Sequence, residues 1–278
     1  MLLCFYDDFV PGFAVGTDIV PIPESLTGRL ESLPQQRLVQ IIDRYEADQD
    51  GFERCSRDDG QPRIRRDQVT LRPPVPQPGQ LLCAVKNYLD DRTAKQADFF
   101  LKSPRSIIGH QEVVRLPPDQ ARVFHHEAEL AVVVGREVSD ESAAADPRCI
   151  FGYTGFIDVS ARDLGSTYYQ KKSFATFGPL GPVIATRNEV PDPTALQVCL
   201  TVNGEVRQRF TPAQMSEPIS ALIELAARVG GLSAGDVVAT GTHHDGMGSI
   251  ADGDRLRLSI DTIGDLEVSV RDQLDRRW

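Results

Sequence analysis

The stretch from residue 125 to 158 constrains this 278-residue chain most strongly, because it joins acidic side chains to apolar strands. Residues 130–135 are apolar and mostly β-branched, which predicts a largely buried strand that ends at a glycine. Glu127 and Glu129 precede this run, and alternate residues of an extended strand share a face. Both carboxylates are therefore expected to point the same way, and the following predicted strand ends at a third carboxylate, Asp158.

Three carboxylates at the ends of neighbouring strands repel one another, so a compensating positive charge is expected. Mg²⁺ and Mn²⁺ prefer oxygen ligands, and Glu127, Glu129 and Asp158 could hold one such ion with positions left for substrate and water. The alternative is a pair of solvated carboxylates at a strand edge and an aspartate in a turn. Spacing alone leaves both interpretations open.

Charge and cysteine usage narrow the classes of function. A formal net charge of -10 leaves no basic stripe to meet phosphates, so we expect no nucleic-acid partner. We expect no membrane partner and no export signal, because apolar runs are short and no basic segment precedes the first one. Five scattered cysteines without a CxxC pair are typical of reduced thiols in a cytoplasmic protein.

The order of patterns along the chain predicts a mainly β protein with some helix, an α+β fold. Residues 1–23 predict a small antiparallel meander, and apolar spacing predicts a helix over about residues 35–47. The polar stretch 48–62 is expected to be loop, and a proline-rich boundary follows it. We therefore expect a small amino-terminal α+β region, 1–75, and a catalytic domain, 76–278.

Two local patterns in the second part of the chain are sharper. Asn203-Gly204 lies between two strand-like runs, as a type I′ β-hairpin requires. Apolar residues at helical spacing over 219–229 predict an amphipathic helix that Gly230-Gly231 ends.

Several motifs, in their order and separation, resemble the fumarylacetoacetate hydrolase family over about residues 80–271. They are His126-Glu127-Ala128-Glu129-Leu130, Gly152-Tyr153-Thr154, Asp158-Val159-Ser160-Ala161-Arg162-Asp163, Lys172-Ser173-Phe174, Gly178-Pro179-Leu180-Gly181-Pro182, Val202-Asn203-Gly204-Glu205 and Gly235-Asp236-Val237-Val238-Ala239-Thr240-Gly241-Thr242. The resemblance implies a mixed β-roll of the family's kind, usually homodimeric. It also implies Mg²⁺ or Mn²⁺ held by Glu127, Glu129 and Asp158.

The resemblance further implies an active-site position for Lys172, where a lysine places fixed positive charge beside oxyanion charge on the substrate. Without the motif, a surface lysine beside Lys171 is the simpler interpretation. The candidate substrate-binding residues, some of which could instead form structural pairs, are Arg162, Tyr88, Asp90, Thr242 and Lys102.

One departure from the family's pattern concerns the activation of water. After Asn-Tyr the family typically carries a histidine and, one helical turn on, a glutamate; here those positions hold Asp91 and Ala94. Asp91 could serve as a base, although an aspartate with an ordinary pKa is a weak one. His243 and His244 are the preferred substitutes, because the Gly241-Thr242 loop borders the active site in the family. Other conceivable bases are His126 and His110.

These inferences favour a metal-dependent hydrolase that cleaves a carbon–carbon bond in a small 2-oxo or 2,4-dioxo acid. Such an acid chelates a divalent ion through two oxygens, and the ion acts as a Lewis acid on the developing enolate. The alternative is a keto–enol tautomerase, double-bond isomerase or decarboxylase, which needs the electron sink more than an activated water. A non-catalytic dimer of the same fold is a third interpretation.

Overall fold

Two large β-sheets form the centre of the fold, seen in a computed structural model that describes residues 1–88, 98–118, 120–165 and 167–276. The larger sheet has twelve strands and the smaller has five, and helices are a minor part of the described chain. The sheet-dominated α+β class expected from the sequence is confirmed.

The strands fall into two groups along the chain. Those before the central strand are β1 (Leu2–Tyr6), β2 (Val10–Val15), β3 (Asp18–Pro21), β4 (Ile64–Arg65), β5 (Leu71–Arg72), β6 (Leu81–Ala84), β7 (Phe99–Leu101), β8 (Ile107–Ile108), β9 (Val113–Leu116) and β10 (Phe124–His125). The central strand and those after it are β11 (Ala128–Val134), β12 (Ile150–Ile157), β13 (Ser160–Ala161), β14 (Gly178–Thr186), β15 (Val198–Val202), β16 (Glu205–Phe210), β17 (Val237–Ala239), β18 (Arg255–Ile260) and β19 (Gly264–Asp272).

The larger sheet runs in the order β4-β3-β2-β1-β14-β12-β11-β17-β6-β7, with β5 beside β1 and β8 beside β14. The smaller sheet has the order β16-β15-β18-β19-β9, and β10 and β13 form a separate pair. β11 is fully buried because both of its faces are covered. Leu130, Val132 and Val134 belong to one apolar cluster, whereas Ala131 and Val133 belong to the other. This arrangement explains the continuous apolar run that the sequence shows there.

The helices are α1 (Glu24–Thr27), α2 (Pro34–Ala47), α3 (Gln49–Arg57), α4 (Glu141–Ala144), α5 (Tyr168–Lys172) and α6 (Ile219–Val229). The predicted helix over about 35–47 is confirmed as α2, whose apolar stripe is buried. The loop predicted after it is wrong at its start, because α3 follows directly. The Asp48 side chain accepts the Gly51 N–H at 2.9 Å and caps α3, and Phe52 and Cys55 bury one face of it.

The amino-terminal meander is confirmed, since β1, β2 and β3 pair in antiparallel succession. β1 also pairs with β14, so the meander continues the larger sheet across residue 75. The domain division at that residue stays a prediction. The hairpin at Asn203-Gly204 joins β15 to β16 with positive φ values of 54° and 84°, as a type I′ turn requires.

Helix α6 is also confirmed. In the described part of the chain, none of the helices has the length and apolar character that crossing a membrane requires.

A buried ion pair near the carboxyl terminus supports a prediction about acid stability. Asp272 meets Arg276 at 2.8 Å and also accepts the Leu274 N–H, and hydrogen bonding by Arg276 lowers the pKa of Asp272 from 3.8 to about 2. Because this folded-state pKa lies below the unfolded-state value, the carboxylate's stabilisation is complete above about pH 4 and is lost as the pH falls towards 2. Asp272→Asn should therefore cost about 2 kcal/mol near neutral pH and lose less stability on acidification. Urea unfolding near pH 7 and near pH 3 checks this; an unchanged pH dependence would contradict it.

Candidate active site

Three buried carboxylates converge where β11 and β12 meet. The pairing of Ala128 with Ile157 places Glu127 beside Asp158, and the Asp158 N–H donates to the Glu127 carbonyl at 2.9 Å. One carboxylate oxygen from each of Glu127, Glu129 and Asp158 lies within 4.8 Å of the others. All three side chains are more than nine-tenths buried. The expected grouping of these residues is what the strand pairing produces.

Two buried lysines compensate part of this negative charge. Lys172, the last residue of α5, places its Nζ 2.9 Å from both carboxylate oxygens of Glu127 and 2.6 Å from Oδ2 of Asp158. The Nζ of Lys102 lies 2.5 Å from Oδ1 of Asp158 and 3.2 Å from the Val159 carbonyl. Both lysines are therefore within the acidic cluster, although they come from distant parts of the chain.

The carboxyl groups of Glu127 and Glu129 have very different pKa values because their neighbours differ. Burial raises the pKa of Glu127, but the charges of Lys172 and Arg162, with the hydrogen bonds from Lys172 and Ser160, outweigh burial and hold that pKa at about 2. Burial, with the nearby charges of Asp158 and Glu127, raises the pKa of Glu129 well above its usual range. Burial opposes the charge on Lys172, yet Asp158 and Glu127 outweigh it and raise the pKa of Lys172. Glu129 is thus the least compensated acid of the three.

The donor set fits a hard divalent cation. It consists of carboxylate oxygens alone, which are the ligands that Mg²⁺ and Mn²⁺ favour. Glu129 accepts the Gly241 N–H at 2.9 Å, and among the described residues no lysine or arginine forms an ion pair with it. A cation bound by all three acids would supply the positive charge that Glu129 lacks.

Arg162 and Ser160 hold the outer side of Glu127. The Ser160 hydroxyl donates to Oε1 of Glu127 at 2.7 Å, and a guanidinium nitrogen of Arg162 lies 2.7 Å from the same oxygen. The Arg162 side chain stays 34% exposed, so it stands at the rim of the site. Its Nε also donates to Nδ1 of His125 at 3.2 Å. Arg162 can therefore contact a solute while it orients Glu127.

The loop after β17 forms another wall. Gly241 donates its N–H to Glu129, Thr242 is buried, His243 is half-buried and His244 is exposed. Partial burial of its ring, the largest cause, still lowers the pKa of His244, while the charge of Glu127 opposes this.

An aromatic group adjoins this loop. The ring of Tyr88 meets that of Phe210 edge-on at 5.0 Å between centroids, and the His243 ring lies 6.4 Å from that of Tyr88. The Tyr88 hydroxyl is buried and has no hydrogen-bond partner within the described ranges.

Other sequence candidates fall elsewhere. Asp90 and Asp91, together with Ala94, lie outside the described residues. His110 contacts β19, where its Nδ1 accepts the Glu267 N–H at 3.2 Å. His126 is fully buried and faces Gln208.

Sequence reasoning singled out neither Ser160, Gln208 nor Gly241 as a site residue. Ser160 could have been found from its place two residues after Asp158 in the same motif.

Gly241 offers a test of how the Glu129 carboxylate is held. Its φ is +88°, and a Cβ there would lie 3.2 Å from the Ala84 carbonyl oxygen. We expect Gly241→Ala to cost about 1–2 kcal/mol through its backbone conformation and to weaken Mn²⁺ binding, because the N–H to Glu129 shifts. Gly204→Ala is the matched control, since its φ of +84° carries similar strain with no atom within 4 Å of the Cβ. Calorimetric titration with Mn²⁺ checks both variants; equal affinities would contradict the expectation.

The chain is similar to known proteins in both sequence and structure. The model of the fumarylacetoacetate (FAA) hydrolase C-terminal domain matches residues 81–271. Oxaloacetate tautomerase YisK from Bacillus subtilis is 34% identical over 222 residues, which cover 73% of this chain and 73% of that protein.

Two solved structures extend the similarity to nearly the whole chain. Maleylpyruvate hydrolase from Sphingobium sp. SYK-6, in complex with manganese(II) and pyruvate, has a TM-score of 0.85 and 32% identity, covering 98% of this chain and 99% of that one. The 5-carboxymethyl-2-hydroxymuconate delta-isomerase from Mycobacterium smegmatis has a TM-score of 0.76 and 30% identity, covering 98% and 100%. The buried acidic cluster lies within the region that the family model matches. On these similarities, the chain belongs to the fumarylacetoacetate hydrolase family.

Proposed function

We propose that this protein is a divalent-metal-dependent enzyme that hydrolyses a carbon–carbon bond in a small 2,4-dioxo acid of the acylpyruvate type. The observation that carries the proposal is the convergence of three buried carboxylates with two buried lysines. A cluster of this charge and burial is typical of a functional site, because burying ions can cost more free energy than their mutual attraction returns.

Glu127, Glu129 and Asp158 would hold Mg²⁺ or Mn²⁺. Such an ion, when bound, acts as a Lewis acid on the 2-oxo acid and favours the enolate. Lys172 contributes a fixed ammonium beside the place where oxyanion charge grows, in surroundings that exclude water. Arg162 at the rim would meet the carboxylate of the acid, and the aromatic group of Tyr88 would line the acyl side.

The relatives support this class of substrate. The maleylpyruvate hydrolase structure holds manganese(II) and pyruvate together. Hydrolysis of an acylpyruvate gives pyruvate and a second acid, so a pyruvate-binding site is what such a hydrolase requires. In this chain water would attack the distal carbonyl, with His244 or His243 as the proposed general base if Asp91 does not serve.

Keto–enol tautomerisation is the second candidate, with isomerisation or decarboxylation as related possibilities. The observation that favours it is the presence of Asp91 and Ala94 at the positions where the family typically carries its histidine and glutamate. A tautomerase moves a proton and needs no nucleophilic water. The absence of the histidine and glutamate should therefore reduce tautomerase activity less than hydrolase activity. YisK, an oxaloacetate tautomerase, is among the relatives.

A time course separates the two reactions. The protein is incubated with a panel of acylpyruvates and with oxaloacetate, with Mg²⁺, Mn²⁺ or a chelator. Cleavage products are identified by mass, and enol–keto conversion, which leaves the mass unchanged, is followed by ultraviolet absorbance. Metal-dependent release of pyruvate plus a second acid supports hydrolysis. Enol–keto conversion or carbon dioxide release without a second acid favours the second candidate, and no metal-dependent turnover of any substrate would contradict both.

Restoring the missing pair tests the origin of water activation. We expect Asp91→His combined with Ala94→Glu to raise the ratio of hydrolysis to decarboxylation by about 100-fold or more, since a positioned general base typically contributes about 100- to 10,000-fold. Product ratios for the double variant and for each single variant provide the measurement. An unchanged ratio would show that the base lies elsewhere, and His244→Ala would then be compared with His243→Ala.

The remaining proposals concern assembly and location. We propose a homodimer, on the resemblance to the family. The molar mass from light scattering, measured as the protein elutes from a size-exclusion column, tests this proposal. We propose a cytoplasmic location because the five cysteines are free, four of them buried. Cell fractionation checks the location.

A further inference from the structure

Gln208 joins the acidic cluster to the loop that carries His243 and His244. It lies on β16 in the smaller sheet, and its side chain is fully buried. Its Oε1 accepts the Ala128 N–H at 3.0 Å and lies 3.1 Å from Nδ1 of His126. Its Nε2 donates to the Thr242 hydroxyl at 2.9 Å and to the His243 carbonyl at 2.7 Å. One amide therefore satisfies four groups on two separate segments.

The partners fix the orientation of this amide. A backbone N–H must meet an oxygen and a backbone carbonyl must meet an N–H, so Gln208 cannot be turned over without breaking both contacts. It follows that Nδ1 of His126, which faces Oε1, carries the proton. The neutral ring then presents a bare Nε2, which is buried and has no hydrogen-bond partner in the part of the chain that is described.

Local backbone structure aims Gln208 at these partners. The register of the pairing between β15 and β16 shifts by one residue between Leu200 and Thr201. Leu200 lies opposite Gln208, whereas Thr201 lies opposite Val206. Arg207 is the extra residue of this β-bulge, and bulges re-aim neighbouring side chains. The loop also packs on the bulge, since a Cβ at Gly246 would stand 1.7 Å from the Arg207 carbonyl oxygen.

The hydrogen bond from the Ala128 N–H to Gln208 lies at the start of β11, beside two of the acids. Ala128 lies between Glu127 and Glu129 in sequence, so a hydrogen bond to its N–H restrains the stretch of backbone that carries both carboxylates. On the other side, Gly241 binds Glu129 and precedes Thr242 and His243. Gln208 is thus bonded both to the strand of the acids and to the loop, and the loop is itself bonded to Glu129 through Gly241.

We propose that Gln208 is a positioning residue that sets the acids and the loop of His243 and His244 in one fixed arrangement. This inference rests on the proposed function, because it assumes that the acids bind a divalent cation. It assigns Gln208 no contact with substrate. A purely structural glutamine would change stability alone, whereas a positioning glutamine also changes cation affinity and turnover.

The first measurement uses the unmodified protein. Nitrogen-15 NMR of histidine-labelled protein is expected to show His126 as the Nδ1–H tautomer. The Nε2–H tautomer would overturn the assigned hydrogen bonds, and with them the proposal.

The second measurement compares Gln208→Met with Asp236→Ala. Asp236 is also buried and bonds backbone N–H groups of Gln80 and Ser233 at 2.8 Å, but at the opposite end of β17 from the site. We expect Gln208→Met to weaken Mn²⁺ binding by about 10-fold or more and to lower kcat more than it changes KM. Asp236→Ala should lose stability while its Mn²⁺ affinity stays within about 2-fold of the original.

The outcomes separate this inference from the proposed function. If the unmodified protein does not bind Mn²⁺ in calorimetry, the proposed function fails. If it binds Mn²⁺ and Gln208→Met binds equally well with the same kcat, only the positioning role is overturned. Equal losses of affinity in Gln208→Met and Asp236→Ala would also overturn it, since general destabilisation would then be the cause.

Discussion

Replacing Glu129 with glutamine is expected to remove divalent-metal binding and turnover while the fold stays as stable as before. The glutamine keeps an oxygen for the Gly241 N–H but loses the charge that a cation needs. Without metal, Glu129 lies beside Asp158 and Glu127, and burial and these charges favour its neutral form. A neutral amide should therefore cost the metal-free protein nothing. We expect Mn²⁺ affinity to fall by about 100-fold or more, and kcat to fall below measurable levels.

Calorimetric titration with Mn²⁺ and thermal unfolding with and without the ion provide the measurements. The unmodified protein should melt at a higher temperature when Mn²⁺ is added, and Glu129→Gln should not. Glu205→Gln is the control, because Glu205 is an exposed acid on β16. Retention of turnover in Glu129→Gln would rule out the metal-dependent mechanism, and a dimer that never bound metal would show no difference between the two variants.

Replacing Lys172 with methionine is expected to harm both stability and turnover. Its ammonium lies 2.6 Å from Asp158 and 2.9 Å from Glu127, and all three side chains are buried. Removing one member of a buried ionic cluster leaves the others uncompensated, at a cost of about 3–5 kcal/mol in the free energy of unfolding. The loss of fixed charge beside the developing oxyanion should lower kcat by about 100- to 1,000-fold.

Lys171→Met is the matched control, because Lys171 is the preceding residue of the same helix and remains partly exposed. Denaturant unfolding of both variants, with and without Mn²⁺, gives the stability comparison. Added Mn²⁺ should recover part of the stability lost by Lys172→Met, since a cation at the acids replaces the missing charge. Equal stability and equal kcat for the two variants would show that Lys172 takes no part in the site.

Sequence patterns predicted the secondary-structure elements whose formation depends on residues close together in the chain. The hairpin at Asn203-Gly204 depends on two positive φ values, which adjacent residues supply by themselves. Helix α2 and the meander follow from the periodicity of apolar residues. Helix α3 was missed because a polar composition hid its cap at Asp48 and its short apolar face.

The acids of the site were also accessible from the sequence. Glu127 and Glu129 alternate before an apolar strand, and Asp158 ends the strand that pairs with it. Their grouping needed only the regular geometry of adjacent antiparallel strands. The resemblance to the family then added Lys172, which no periodicity could have placed.

The sequence named Lys172, Lys102 and Arg162 as candidates, and the tertiary structure decided which carboxylate oxygen each of them meets. Lys102 is 56 residues from Asp158 in sequence, and Gln208 is 80 residues from Ala128. Periodicity describes the face on which a side chain lies, whereas a hydrogen bond or an ion pair requires a particular partner at about 3 Å. The sequence by itself determined helices α2 and α6, the meander, the Asn203-Gly204 hairpin and the identity of the three acids. Only the packing of the two sheets determined the burial and the partners that give each acid its charge state.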